Sequence, residues 1–215
     1  MRLFVALLPP PAAAGELAGA LHAVRRRDDA SALRWTQPGG WHFTLAFLGE
    51  VPDGVRPGLD ERLGRAARRH GPHTLRLSGA GRFGERALWV GAEGDLAGVA
   101  GLADSVRAAG RRAGAPADEG HGFQPHLTVA RSPGVRRTAG TEAAAASGPP
   151  RLGPLAEALA GFRGSPWTAD TLSLVSSVPP RSGVPGEQPR YETVRAWPLG
   201  RGSGGPADEG TGSGG

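Results

Sequence analysis

Two short segments of this chain carry the same order of residues able to move protons. His42-Phe43-Thr44-Leu45-Ala46 and His126-Leu127-Thr128-Val129-Ala130 both read His-apolar-Thr-apolar-Ala and lie 84 residues apart. In a β-strand, residues i and i+2 project from one face. Each segment therefore offers an imidazole and a hydroxyl on one side, and turns Phe43 and Leu45, or Leu127 and Val129, to the other. Imidazole titrates near neutrality, so of two facing histidines one can be neutral while the other is charged. Hydrolysis of a cyclic phosphodiester asks for that pair: a base takes a proton from the attacking water and an acid protonates the departing sugar oxygen. The threonine hydroxyls can donate to the non-bridging oxygens, and a guanidinium can offset the charge that gathers there.

Arg131, directly after the second segment, is the arginine nearest in sequence. Strict alternation aims it away from the His126 face, so reaching a phosphate requires the strand to bend, bulge or end at Ser132-Pro133. A single His-x-Thr is ordinarily part of a half-buried strand. Two copies with matched apolar partners, in a chain with six histidines, point to a site. His22, His70 and His73 lack such a motif and read as surface residues; His121, in its glycine-flanked turn near the second segment, reads the same way, with a place lining the cleft as its alternative.

The elements that must position these segments can be read from the hydrophobic pattern. Leu3 to Leu8 is a short buried strand, and the prolines after it lead into a helix carrying Leu17, Leu21 and Val24. Leu33 to Thr36 and His42 to Leu48 are strands joined by the turn Gln37-Pro38-Gly39-Gly40. Val55, Leu59, Leu63 and Ala67 mark a second helix with Asp53 as its expected N-cap. Thr74 to Leu77 and Ala87 to Val90 are strands with a Gly-rich bend between them. A third helix bears Leu96, Val99, Leu102 and Val106 and ends near Gly110 to Gly114. His126 to Arg131 is a strand, Ser132 to Pro150 a flexible loop, and Leu152, Leu155 and Leu159 a short helix. Thr171 to Val178 and Tyr191 to Trp197 close the fold, and residues 201–215 read as a disordered Gly/Ser-rich tail. This order predicts an α+β protein with antiparallel sheets and helices on their outer faces. A repeat at this separation suggests two similar lobes within residues 1–200.

Bulk properties narrow the function further. The 215 residues contain no cysteine, which excludes disulfides, thiolate metal sites and a cysteine nucleophile. All 25 basic residues are arginine, the formal net charge is +5, and the pI is about 11.1, a balance that favours a polyanion such as RNA. The arginines are scattered in sequence (Arg25 to Arg27, Arg68-Arg69, Arg111-Arg112, Arg136-Arg137), as solvated helix ends and loops usually are. The apolar run at Leu3 to Leu8 is too short for a membrane span or a signal peptide, so a cytoplasmic protein is expected.

The paired segments and their surroundings resemble the two-histidine phosphoesterase superfamily, in particular its RNA 2′,3′-cyclic phosphodiesterase branch, the 2′-5′ RNA ligase family. The resemblance rests on Arg2-Leu3-Phe4-Val5-Ala6, Arg34-Trp35, Trp41-His42-Phe43-Thr44-Leu45-Ala46-Phe47-Leu48-Gly49-Glu50, Phe123-Gln124-Pro125-His126-Leu127-Thr128-Val129-Ala130-Arg131, and Tyr191 to Leu199. It implies a bilobal fold with approximate two-fold symmetry, in which two antiparallel sheets flank a central open cleft. It also implies opening of RNA 2′,3′-cyclic phosphate ends to 2′-phosphates by a monomer without metal or cofactor, and a reverse 2′-5′ ligation. Carried over, His42 is the general acid, His126 the general base, and Thr44, Thr128 and Arg131 hold the phosphate. Phe4 and Phe123 are candidate walls for the terminal base.

Other readings use the same parts. A non-catalytic module could hold RNA ends in a basic cleft, although binding alone needs no histidine pair. The same chemistry could act on cyclic phosphates of nucleotides or ADP-ribose, or on 2′-5′ linked oligoadenylates. A metal site on His42 and His126 is disfavoured, because no carboxylate accompanies either within its motif.

Overall fold

The computed structural model describes residues 1–116, 123–132, 151–178 and 188–200. The expectations placed on His121, on the loop beyond Ser132 and on the tail from Arg201 lie outside the described residues. The chain runs β1 (Arg2–Leu7), α1 (Pro11–Arg25), β2 (Arg34–Trp35), β3 (Phe43–Glu50), α2 (Arg56–Arg69), β4 (His73–Phe83), β5 (Ala87–Gly94), α3 (Leu96–Ala113), β6 (His126–Arg131), α4 (Leu152–Leu159), β7 (Trp167–Ala169), β8 (Thr171–Val178) and β9 (Arg190–Pro198). The strands form a four-stranded sheet, β3-β1-β8-β9, and a five-stranded sheet, β2-β6-β5-β4-β7, in which every pairing is antiparallel. Helices α2 and α3 pack on the first sheet, and α1 and α4 on the second. The α+β expectation is met, with one histidine motif in each sheet.

β1 sits inside its sheet, covered on both faces, which is why its sequence is a continuous apolar run. Leu3, Val5 and Leu7 enter the main core. Phe4 and Ala6 point the other way and join Val175 in a small separate cluster that floors the cleft. Burying each such Leu, Val or Phe contributes about 1.5–3 kcal/mol, so the strand carrying the cleft floor is held firmly from behind.

The helices follow their apolar stripes: Leu17, Leu21 and Val24 on α1, Leu59 and Leu63 on α2, Val99, Leu102 and Val106 on α3. The Asp53 cap is corrected. Pro57 fits only in a helix's first turn, so α2 begins at Arg56, while Asp53 opens a separate 3-10 turn and caps nothing. The acidic cap belongs instead to α3, where Asp95 accepts a hydrogen bond from the Gly98 amide at 2.9 Å.

His73 is also corrected. It is buried, 5% exposed, and its Nδ1 lies 2.7 Å from Asp95 Oδ2. This contact is the first cause holding the Asp95 carboxyl below its ordinary value, with the Gly98 amide second. His70 is half-buried, its Nε2 2.8 Å from Ser105 Oγ. β4 also runs past Leu77 to Phe83: a one-residue bulge at Gly79, at φ 63°, lets the pairing with β5 continue where a bend was expected. β7, three residues long, is too short to show a period in sequence.

Candidate active site

His42 stands immediately before β3, at the exit of the 3-10 turn Pro38–Gly40. That turn presents the Gly40 carbonyl to His42 Nδ1 at 2.8 Å. His126 opens β6, and its Nδ1 lies 3.0 Å from the Gln124 carbonyl. Each ring thus donates Nδ1–H to the carbonyl two residues back, which fixes its orientation and leaves Nε2 for a substrate.

The strands then share an irregularity. In β3, Val5 pairs with Ala46 and Ala6 with Thr44, so Leu45 is an extra residue. In β6, Leu88 pairs with Ala130 and Trp89 with Thr128, so Val129 is the extra residue. Both bulges fall three residues after the histidine. A bulge resets the alternation, and the residue three past each threonine comes round to the cleft side. In β3 that residue is Phe47, in β6 it is Arg131, and both line the cleft.

His42, Thr44, His126, Thr128, Arg131 and Phe4 therefore meet around one cleft of about 410 Å³ between the sheets. Phe43, Leu45, Leu127 and Val129 are buried behind it, as expected. Phe123 is placed otherwise: it packs against the main core and does not line the cleft.

The two rings have different neighbours. The His42 ring lies against Phe4, with centroids 4.6 Å apart, and edge-on to Tyr191 at 5.1 Å. Burial pushes His42 down to about 4; the Gly40 carbonyl opposes this, and the charges of Arg131 and His126 add to it. The open cleft thus holds His42 neutral at neutral pH. His126 meets Phe83 edge-on at 4.9 Å, and Phe83 leans on Trp89 at 5.8 Å. Trp89 has room because residue 81 is glycine: a Cβ there would fall 2.2 Å from the indole.

Tyr191, Phe47, Phe83 and Arg2 were not read from the sequence as site residues. Phe47 had a signal, since it occupies the same offset from His42 as Arg131 does from His126. Tyr191 is the chain's single tyrosine, but only the pairing of β9 beside β8 brings it to His42. Among the described residues, no three His, Asp or Glu side chains gather as a metal site, and no helix is long and apolar enough to cross a membrane.

The model of the 2′-5′ RNA ligase superfamily matches residues 9–177, most of the chain. The chain belongs to this superfamily. A relative named RNA 2′,3′-cyclic phosphodiesterase from Geobacillus stearothermophilus is 32% identical over 169 residues, covering 77% of this chain and 47% of the relative. One of the same name from Aeropyrum pernix is 34% identical over 100 residues, 45% of this chain and 55% of the relative. The chain thus spans about half the length of the curated relatives it matches. Among solved structures, TT0787 of Thermus thermophilus aligns with a TM-score of 0.67 at 25% identity, and E. coli LigT complexed with 3′-AMP with 0.63 at 26%. Each alignment covers 93% of this chain and 98% of the other. The superfamily fold, two antiparallel sheets flanking a cleft, is the one observed.

Proposed function

We propose that this chain hydrolyses the 2′,3′-cyclic phosphate ends of RNA to 2′-phosphates by acid–base catalysis between His42 and His126, without a metal. One observation carries the reading: two His-x-Thr segments, each with Nδ1 tied to a backbone carbonyl, line one cleft together with Arg131. The superfamily membership and the names of its relatives support the substrate class.

In this reading His126 takes a proton from water as the water oxygen attacks phosphorus. The bond from phosphorus to the 3′-oxygen breaks, and His42 delivers a proton to that oxygen, leaving a 2′-phosphate. Thr44, Thr128 and Arg131 hold the non-bridging oxygens. His42 is neutral in the open cleft, so its proton arrives with the substrate: the phosphate's negative charge offsets Arg131 and raises the ring's proton affinity. Phe4 and Tyr191, against the His42 ring, form an apolar wall for the terminal sugar or base. With the 5′-hydroxyl of a second RNA end in place of water, the same steps form a bond from its oxygen to phosphorus, break the bond to the 3′-oxygen, and leave a 2′-5′ linkage. We place the enzyme in the cytoplasm as a monomer acting on RNA.

The test is incubation with a short RNA ending in a 2′,3′-cyclic phosphate, in the presence of a chelator. The expected product is a 2′-phosphate end. A 3′-phosphate product reverses which oxygen leaves, binding without turnover makes the cleft a holder of RNA ends, and loss of turnover in chelator refutes the metal-free mechanism. Faster turnover of a cyclic mononucleotide or of ADP-ribose cyclic phosphate than of RNA overturns the substrate class.

A further inference from the structure

Arginines that are scattered along the sequence converge on the outer face of the first sheet. Arg62, Arg65 and Arg69 follow i, i+3, i+7 spacing on α2 and share one helical face. The neighbouring α3 adds Arg112 and Ser105, and together they surround a recess of about 130 Å³. Arg65 pairs with Glu61. Among the described residues, no carboxylate forms an ion pair with Arg62, Arg69 or Arg112. Asp60, the other acid on α2, is engaged by Arg56 and Arg195. Gathered cations repel one another, and an anion seated among them removes that cost. Guanidinium forks match phosphate oxygens in pairs.

One strand, β9, runs from the cleft to α2, one of the two helices that carry the recess. Trp197 of β9 lies against α2, where a Cβ on Gly64 would fall 3.1 Å from its indole nitrogen, and Arg195 bonds Asp60 at 3.1 Å. Tyr191, at the other end of β9, lines the cleft. Six residue steps of extended chain carry β9 from Tyr191 to Trp197, about 20 Å, a span beyond a dinucleotide.

We propose that the Arg62–Arg65–Arg69–Arg112 recess binds the phosphate backbone of the RNA whose cyclic-phosphate end occupies the cleft. This rests on RNA being the substrate class. The recess selects for a polymer, because a mononucleotide or dinucleotide in the cleft does not reach it.

The test compares the triple variants Arg62→Glu/Arg69→Glu/Arg112→Glu and Arg62→Lys/Arg69→Lys/Arg112→Lys with the unaltered protein. Two probes carry the same 2′,3′-cyclic phosphate end: a single-stranded RNA of roughly 24 nucleotides and a dinucleotide. Binding is read by fluorescence anisotropy across a salt series, and turnover is read separately. The Glu variant should bind the long RNA at least tenfold more weakly, and its salt dependence should lose a slope of about 2, three phosphate contacts at about 0.7 each. Dinucleotide turnover should not change, and the Lys variant should bind like the unaltered protein. Unchanged long-RNA affinity in the Glu variant overturns the proposal. So does an equal loss for both probes, a Lys variant as weak as the Glu variant, or a recess that answers to inorganic phosphate but not to the long RNA. Anisotropy needs no turnover, so failure of the unaltered protein to hydrolyse the dinucleotide removes the proposed function while the recess is still tested.

Discussion

The segments beginning at His42 and His126 share a backbone plan down to the bulge, yet they sit in different chemistry. Each ring is held by the carbonyl two residues back, and each strand bulges at the residue after the threonine. The strand then turns Phe47 into the cleft on one side and Arg131 on the other. His42 lies between Phe4 and Tyr191, whereas His126 has one edge contact, to Phe83. The symmetric part places two imidazoles and two hydroxyls around one cleft; in the proposed reaction the asymmetric part is what lets two identical side chains take opposite proton roles. Burial holds the half-buried His42 ring low enough to be neutral, and the charge of Arg131, the proposed phosphate holder, adds to that effect.

The first way to break this comparison is to remove one ring at a time. His42→Ala and His126→Ala should each lower turnover of a cyclic-phosphate-ended RNA by roughly 10²–10⁴-fold, the range of acid–base catalysis. If either variant keeps full turnover, the two segments are not a pair. Next comes the asymmetric offset. Arg131→Ala should cost about 10²-fold in kcat, as loss of a charged phosphate donor does. Phe47→Ala, at an exposed position, should change KM a few-fold and leave kcat alone. Equal effects of the two would show that the sheets contribute alike and that Arg131 is not the phosphate holder.

A third prediction concerns only the His126 side. Gly81→Val puts a side chain where the Trp89 indole lies, which should destabilise the protein by about 3 kcal/mol, the upper end of overpacking. Its chemical signature is selective: the His126 ring resonances should shift through Phe83 while those of His42 stay in place. A shift at both rings would mean that the two lobes are not independently walled.

Much of this frame was legible in the sequence, and the gaps have physical causes. The motif strands, the helical stripes and the α+β order follow from periodicity, because burial imposes period 2 on strands and about 3.6 on helices. His42, Thr44, His126 and Thr128 could be found because a repeat is visible without coordinates. Arg131 required a bulge, and a bulge leaves the sequence order unchanged while altering which way a side chain points. The partners across elements were hidden: Tyr191 beside His42, Phe83 beside His126, and His73 on Asp95 are all set by sheet pairing or packing between residues 22 to 149 positions apart. His73 was misread because a lone histidine ahead of a strand carries no mark of burial. Arg69 and Arg112 of the α2–α3 recess read as scattered because sequence spacing does not show which helices pack side by side.

The smallest predicted effect tests the half-buried His42 ring directly. In the unfolded chain a histidine titrates near 6.5. Burial holds folded His42 at about 4, so between these values the unfolded state binds more protons than the folded one. Stability therefore rises with pH through this window, and acid weakens the fold at His42. From pH 7 to pH 5 the loss assigned to this ring is about 2 kcal/mol, and it should vanish in His42→Asn, read as the difference between the two proteins in denaturant midpoint at each pH. Inorganic phosphate in the cleft should shrink the loss, because an anion near Arg131 raises the folded value of His42 towards the unfolded one. Arg131→Ala should move it in the same direction by removing a nearby positive charge. If the acid loss is the same in His42→Asn as in the unaltered protein, His42 is not the ring held neutral. If phosphate leaves it unchanged, the substrate does not load the acid with its proton, and His42 would have to be protonated before binding.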